Sequence, residues 1–354
     1  MSKARRRAFG KLRVMPPNPT VAVYGAYGHT GRFVVAELVR RGWRPVLAGR
    51  SADRLAELTV EHPGLEVRPA EVGSPIELDA ALAGAAAVVN CAGPFATTAA
   101  PVIEAALRAR IPYLDVAAEI EANLDTFARY ADQVEEAGLV VLPAMAFFGG
   151  LGDLLATAAM GDWPAADEIS IAYGLSSWAP TDGTRAAGRV SRERRGGQRV
   201  VYTNGELQYR SDDPPPLAEW DFPAPLGRQP VVPELTMADS VTIPRHLVTP
   251  EIRSSMSAVA LRDLADPDLP PPGRESSQTF VVDVVVRRGD AERRATAQGR
   301  DIYAISAPLV VEATERVLAG KVAKRGVLTA GEAFDAEDFL AALPLVWTTV
   351  ALGA

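Results

Sequence analysis

The run Gly25-Ala26-Tyr27-Gly28-His29-Thr30-Gly31 follows directly on the apolar stretch Val21–Tyr24 and has the spacing of a phosphate-binding turn. A buried strand that ends in such glycines and opens a helix aims backbone N–H groups, and the positive end of the helix dipole, at an anion. Gly25 permits the turn, Gly28 lets the backbone approach a pyrophosphate, and Gly31 lets the helix that follows lie close to the strand. Tyr27, His29 and Thr30 complete the loop, where His29 is expected to touch cofactor rather than to move protons. A plain strand-to-helix turn carries the same glycines, so the context has to decide. A second apolar strand, Pro45–Ala48, follows at the βαβ distance and ends in Gly49-Arg50-Ser51, with Arg54 one helical turn on. An acidic residue after that strand would hold the ribose hydroxyls and repel a 2′-phosphate. A guanidinium fork beside a hydroxyl suits a phosphate dianion. The expected cofactor is NADP(H), with Arg50, Ser51 and Arg54 at its 2′-phosphate.

Further candidates fall at later strand ends. Asn90-Cys91-Ala92-Gly93-Pro94-Phe95 follows an apolar strand. In a doubly wound sheet this loop passes the nicotinamide-side ribose. Cys91 has no base near it in sequence and reads as a packed thiol rather than a nucleophile. Asp115 closes the next strand, with Tyr113 on the same strand face and Glu119 just beyond. Asp115 is the first expectation for a proton donor, because a strand-end carboxyl can be desolvated and held protonated. Glu119 reads equally as a helix cap, and Tyr113 equally as core. His62 reads as incidental, on an exposed helix end. His246 neighbours Arg245 and reads as a proton donor or carboxylate partner, or as a solvated loop residue. Arg185, Arg189 and Arg192–Arg195 form a basic patch, by default a solvated face and otherwise a reader of acidic substrates. Three histidines and one cysteine show no metal-ligand spacing, so no catalytic metal is expected.

Positioning these residues requires an α/β unit, a β-rich insert and a helical return. Strands at Val21–Tyr24, Pro45–Ala48, Glu66–Ala70, Ala86–Asn90, Tyr113–Val116 and Leu139–Leu142 alternate with helices. The expected fold class is α/β: a Rossmann, doubly wound parallel sheet with an inserted α+β substrate domain built on a mostly antiparallel sheet. In the insert, Phe280, Val282, Val284 and Val286 alternate with the period of half-buried strands. Asn204-Gly205 and Gly289-Asp290 mark hairpins. Helix logic resumes at Ala307–Leu318, and Thr329 to Glu332 has the form of a capping box. The expected boundaries are a flexible basic and proline-containing tail at 1–19, the NADP-binding domain at 20–150, the insert at 151–304, and a return to the Rossmann domain at 305–354.

Composition sets the outer bounds. The 354 residues include 37 Lys and Arg against 44 Asp and Glu, a net charge of −7. Nothing in that balance calls for nucleic acid or an anionic membrane as main partner. No run of about 18 apolar residues and no signal-peptide core is present. A sole cysteine excludes disulfides within the chain and fits a reducing cytoplasm. The expected partner is a small-molecule substrate, with a homodimer as the assembly to test.

The fingerprint GAYGHTG, the strand ending LAGRS, the segment VVNCAGPF (Val88–Phe95) and YLDVAAE (Tyr113–Glu119) stand in the order and spacing of one family. Together they resemble the saccharopine dehydrogenase-like reductases, which include saccharopine reductases and bacterial trans-acting enoyl reductases. The similarity is dense over roughly the first 150 residues and looser afterwards. It implies NADP(H) on a Rossmann domain with a substrate domain inserted after it. Two positions depart from the pattern: Ala118 stands where relatives often have glycine, and the turn Phe147–Asp153 lacks the usual proline and serine. Both lie near the expected substrate cleft, so the family's substrate does not carry over. The function expected from residues and resemblance is an NADPH-dependent reductase acting on C=N or activated C=C. The alternative is a non-catalytic NADP(H) sensor that regulates a partner.

Overall fold

Short runs of β-branched and small apolar residues, each closed by a glycine or polar turn, build the first sheet. The computed structural model describes residues 20–274 and 276–352; the tail expected at 1–19 lies outside the described residues. The first elements are β1 (Thr20–Tyr24), α1 (His29–Arg40), β2 (Arg44–Gly49), α2 (Ala52–Glu61), β3 (Val67–Pro69), α3 (Pro75–Leu82), β4 (Ala87–Asn90), α4 (Phe95–Ala109), β5 (Tyr113–Asp115), α5 (Ile120–Ala137) and β6 (Val140–Leu142). The insert follows as α6 (Gly152–Met160), β7 (Glu168–Leu175), α7 (Asp182–Arg194), β8 (Arg199–Thr203), β9 (Glu206–Arg210), β10 (Ala218–Asp221), β11 (Arg228–Val232), α8 (Asp239–Thr242), β12 (Ile252–Ser257), α9 (Ala258–Ala265), β13 (Thr279–Arg288) and β14 (Ala291–Arg300). The chain closes with α10 (Ser306–Leu318), β15 (Gly326–Val327), α11 (Ala330–Ala333), α12 (Ala336–Ala341) and β16 (Val346–Leu352).

Among the described residues the first sheet has seven parallel strands in the order β15-β6-β5-β4-β1-β2-β3. The order reverses between β1 and β4, so the crevice of a doubly wound fold opens there, beyond the strands' carboxyl ends. The second sheet has nine strands and is antiparallel apart from the β12–β7 pair. The Asn204-Gly205 and Gly289-Asp290 turns close the β8–β9 and β13–β14 hairpins.

Two elements differ from the sequence reading. Gly326–Val327 adds a seventh strand beside β6, and two residues are too short a stretch to show a strand period. The chain end does not stay with the Rossmann domain: Val346–Leu352 crosses back and pairs antiparallel with β14. A run rich in Thr and Val after Pro344 favours a strand over more helix.

Both sheets share one core. Val21, Val23 and Leu47 of the first sheet, Val34, Val35 and Leu38 of α1, and Ile169, Ile171, Val282 and Val284 of the second belong to one buried cluster. Each such side chain contributes roughly 1.5–3 kcal/mol on burial. Helix α10 packs on α1, β4 and β5 and brings the chain back from the insert. Arg41 fastens it, meeting Glu37 at 2.7 Å and Glu312 and Glu315 at 2.6 Å each. These pairs tie the later half of α10 to the end of α1, and Tyr303, just before its start, stands beside His29 of the glycine loop.

Candidate functional site

The glycine loop is shaped by contact with its own sheet. Gly25 has φ +82, and a Cβ there would stand 2.8 Å from the Ala92 nitrogen, so the loop after β4 rests directly on it. A Cβ on Gly31 would meet the Gly25 carbonyl oxygen at 2.2 Å, so only glycine lets α1 start this close to β1. Gly28 is the N-cap; no side chain caps the helix and its first turn carries no acidic residue. The N–H groups of that turn therefore face the sheet edge as anion donors.

The second strand end supplies cations. Arg50 is exposed, and the Ser51 hydroxyl caps α2 by accepting from the Arg54 N–H at 3.3 Å. The Arg54 guanidinium lies 4.4 Å from the centroid of the Tyr27 ring. That ring covers Gly49, where a Cβ would come within 2.9 Å. A donor-lined helix start and two guanidinium groups at the next strand end fit the diphosphate and 2′-phosphate of NADP(H). When bound, NADPH would supply a hydride.

The residues expected to be catalytic are held elsewhere. Asp115 is 1% exposed, and both of its oxygens are occupied. One accepts from the N–H groups of Ala117 at 3.0 Å and Ala144 at 2.8 Å, the other from the Tyr113 hydroxyl at 2.8 Å. Burial raises its pKa to about 6, against the lowering by those donors. Tyr113 is fully buried and takes a hydrogen bond from Asn90 at 3.2 Å; burial, with the neighbouring Asp115 charge, pushes its pKa well up. Asn90 is also fully buried, its oxygen accepting from the Ala92 N–H at 3.0 Å. Asp115 and Tyr113 brace the strand ends, with their polar side-chain atoms engaged by partners inside the molecule. Asn90 likewise shapes the loop Cys91–Pro94 rather than facing outward. Burial pushes the Cys91 thiol up as well, which disfavours its thiolate form.

Glu119 accepts from Phe95 N–H at 2.7 Å and Ala96 N–H at 3.0 Å, the cap of α4. His246 lies at the junction of α6 and α11. Its Nε2 is 2.9 Å from the Thr157 hydroxyl and 3.4 Å from Asp153, and its Nδ1 is 3.3 Å from Thr329. None of these partners touches the Asn90–Tyr113–Asp115 group, so the structure does not bring His246 to it. The basic patch is partly engaged within the molecule, while Arg189 and Arg192 are exposed. Arg185 donates to the carbonyls of Leu264, Asp266 and Leu269, Arg194 pairs with Asp125, and Arg195 with Glu121.

Sequence reasoning missed Tyr303, Trp178 and Phe148. Tyr303 stands just before α10, its ring 5.1 Å and edge-on from His29 in the glycine loop. Its hydroxyl oxygen accepts from Trp178 Nε1 at 3.0 Å and Thr181 N–H at 3.2 Å, and lies 2.9 Å from the Thr184 hydroxyl. Trp178 packs on Phe148, with ring centroids 5.4 Å apart. An aromatic residue before a helix is no signal in sequence, and the contacts span more than a hundred positions. His29 itself is kept neutral by burial, its pKa lowered.

The fold and the loop define a dinucleotide-binding Rossmann domain carrying a second domain. Residues 21–142 match the model of the saccharopine dehydrogenase NADP binding domain. Similar proteins include a saccharopine dehydrogenase-like oxidoreductase of Bos taurus, 28% identical over 146 residues, 36% of this chain and 34% of the relative. A trans-acting enoyl reductase of Mycobacterium tuberculosis is 28% identical over 133 residues, 36% of this chain and 32% of the relative. The matches thus span about a third of the length of these relatives. Over nearly the whole chain the fold is that of the apo saccharopine dehydrogenase (L-Glu forming) of Saccharomyces cerevisiae. The TM-score is 0.66 at 13% identity, over 94% of this chain and 100% of that one. Among the described residues no helix is long and apolar enough to cross a membrane.

Proposed function

We propose that the protein is an NADPH-dependent reductase that adds a hydride and a proton across a C=N or activated C=C bond of a small molecule. One observation carries the reading: Tyr303 joins the glycine loop, through His29, to the insert segment Trp178–Thr184. A cofactor lying on that loop would have its reactive end beneath the second domain, where a substrate can be held out of water.

The hydride carbon and the protonated atom must be neighbours, so a hydroxyl or water has to lie beside the nicotinamide. Tyr303 is the group this geometry favours. The N–H groups of Trp178 and Thr181 already point at its oxygen and would hold the charge left when the phenol gives up its proton. Thr184, and Thr181 at 3.0 Å beyond it, form a hydroxyl chain that could return a proton from solvent. Electrons and atoms balance with NADP⁺, the reduced substrate and a restored phenol.

Calorimetric titration tests the cofactor assignment. NADPH should bind at least tenfold tighter than NADH, since a charge-assisted contact contributes about 1.5–3 kcal/mol, and Arg50→Asp should remove most of that preference. Equal affinities in the wild type would sink the assignment. Consumption of NADPH against a panel of imines and enones then tests the reductase itself.

A further inference from the structure

One aromatic side chain joins the two parts of the cofactor site that face phosphate. Tyr27 belongs to the glycine loop, and its ring rests on Gly49 at the end of β2, where a Cβ would come within 2.9 Å of Cε1. Gly49 has φ +152, which glycine tolerates and other residues rarely adopt, so side chain and backbone both leave the ring its place. The main chain beside the ring is fixed as well. The Tyr27 carbonyl accepts from Arg32 Nε at 3.3 Å, and Ala26 N–H donates to the Ala48 carbonyl at 3.2 Å.

The Arg54 guanidinium lies 4.4 Å from the centroid of that ring. Arg54 is exposed in the first turn of α2, where the helix dipole disfavours a cation. Among the described residues its side chain has no carboxylate partner and no hydrogen-bond acceptor, although Asp53 and Glu57 stand on the same helix. Arg32, on the first turn of α1, is by contrast already paired with Glu61 at 2.8 Å. An arginine free in solvent samples many rotamers and loses that freedom when it closes on an anion. A ring beneath the guanidinium removes part of that loss beforehand and leaves the fork of N–H donors for a phosphate.

We propose that Tyr27 is a specificity-determining residue for NADP(H), whose ring holds the Arg54 guanidinium in place for the 2′-phosphate. It acts through Arg54, as a positioning residue, and the proposal rests on the placing of the 2′-phosphate at the second strand end. The test is binding alone. NADPH and NADH differ by that phosphate, as do 2′,5′-ADP and 5′-AMP, and all four are titrated by calorimetry into the full chain. Tyr27→Leu should reduce the preference for the phosphorylated member of each pair about two- to fivefold, the size of an exposed cation–π contact. NADH affinity should stay within about twofold. Tyr27→Met carries the same expectation and stands in if Tyr27→Leu does not fold. Tyr27→Phe keeps the ring and should match the wild type. Arg54→Gln should lower the preference at least as far as Tyr27→Leu, and the two together no further than Arg54→Gln alone. A Tyr27→Leu or Tyr27→Met protein with the full preference overturns the proposal. So does one that weakens NADH as much as NADPH, which would give the ring to the adenosine or the diphosphate. Additive losses in the double variant, or an Arg54→Gln protein that discriminates like the wild type, overturn it too. Equal wild-type affinities for NADPH and NADH would instead sink the placing of the 2′-phosphate itself.

Discussion

Asp115 shows how the number of donors around a carboxyl decides its role. Two backbone N–H groups and one phenol converge on it in a site closed to solvent. Three donors engage both oxygens of the group, and drawing it to a substrate would mean breaking the turn it holds. Asp115→Asn places an amide NH₂ where an acceptor is needed, so stability should fall by about 1–3 kcal/mol. Turnover per folded molecule should change less than tenfold. Urea melts and single-turnover assays check the pair of claims, and a stable variant that is a hundredfold slower would return Asp115 to the chemistry.

Two helices begin at the same sheet edge, and only one is open to phosphate. The start of α4 is closed by the Glu119 carboxylate, which takes both Phe95 and Ala96 N–H groups. The start of α1 has a glycine N-cap and no such side chain. The dipole of α1 is therefore the one available to an anion. Gly28→Val should abolish NADPH binding with a native circular dichroism spectrum, since Gly28 has the ordinary extended φ of −66. Its Cβ would need only a few tenths of an ångström from the Gly25 carbonyl oxygen, 3.1 Å away. Glu119→Ala should do the opposite, lowering the melting temperature while NADPH affinity stays within about twofold. Loss of NADPH binding in Glu119→Ala with an unchanged melt would show that α4 receives the phosphate.

At the scale of the molecule, the joint between the two sheets buries carboxyls as well as apolar groups. Asp239 is fully buried beside Gly152 at the start of α6, and its hydrogen bonds come from the Tyr173 hydroxyl at 2.8 and 3.0 Å. Burial, aided by the nearby Asp153 charge, raises its pKa from 3.8 to about 7, although the tyrosine works against the rise. The folded state thus keeps a proton that the unfolded chain has lost. Stability is unaffected below about pH 4, where both states are protonated, and declines as pH rises towards 7. The full loss is on the order of 4 kcal/mol. Asp115 adds a smaller loss between about pH 4 and 6. Guanidinium melts at pH 5 and pH 8 should show the wild type weaker at the higher pH, and Asp239→Asn should flatten that difference. Identical pH slopes for the two proteins would mean that Asp239 is ionised throughout.

The glycine loop, Arg50 at the second strand end and the Asn204-Gly205 hairpin were legible in sequence because each is local. Turn geometry, helix starts and strand periods are written within a few neighbouring residues. The seven-residue β16 and the two-residue β15 were not, since their partners lie far along the chain and tertiary pairing alone makes them strands. Asp115, Tyr113 and His246 have types and positions that suit catalysis, yet only the packing shows that each is enclosed by partners from other elements. Tyr303, Trp178 and Phe148 carried no local signal and come together only in the folded chain. The sequence alone determined the glycine loop of the NADP-binding domain and which residues stand as candidates for the cofactor's phosphates, because backbone conformation and charge at a strand end are short-range properties. Which groups face the cleft was decided by the tertiary structure, because burial is a property of everything packed around a side chain.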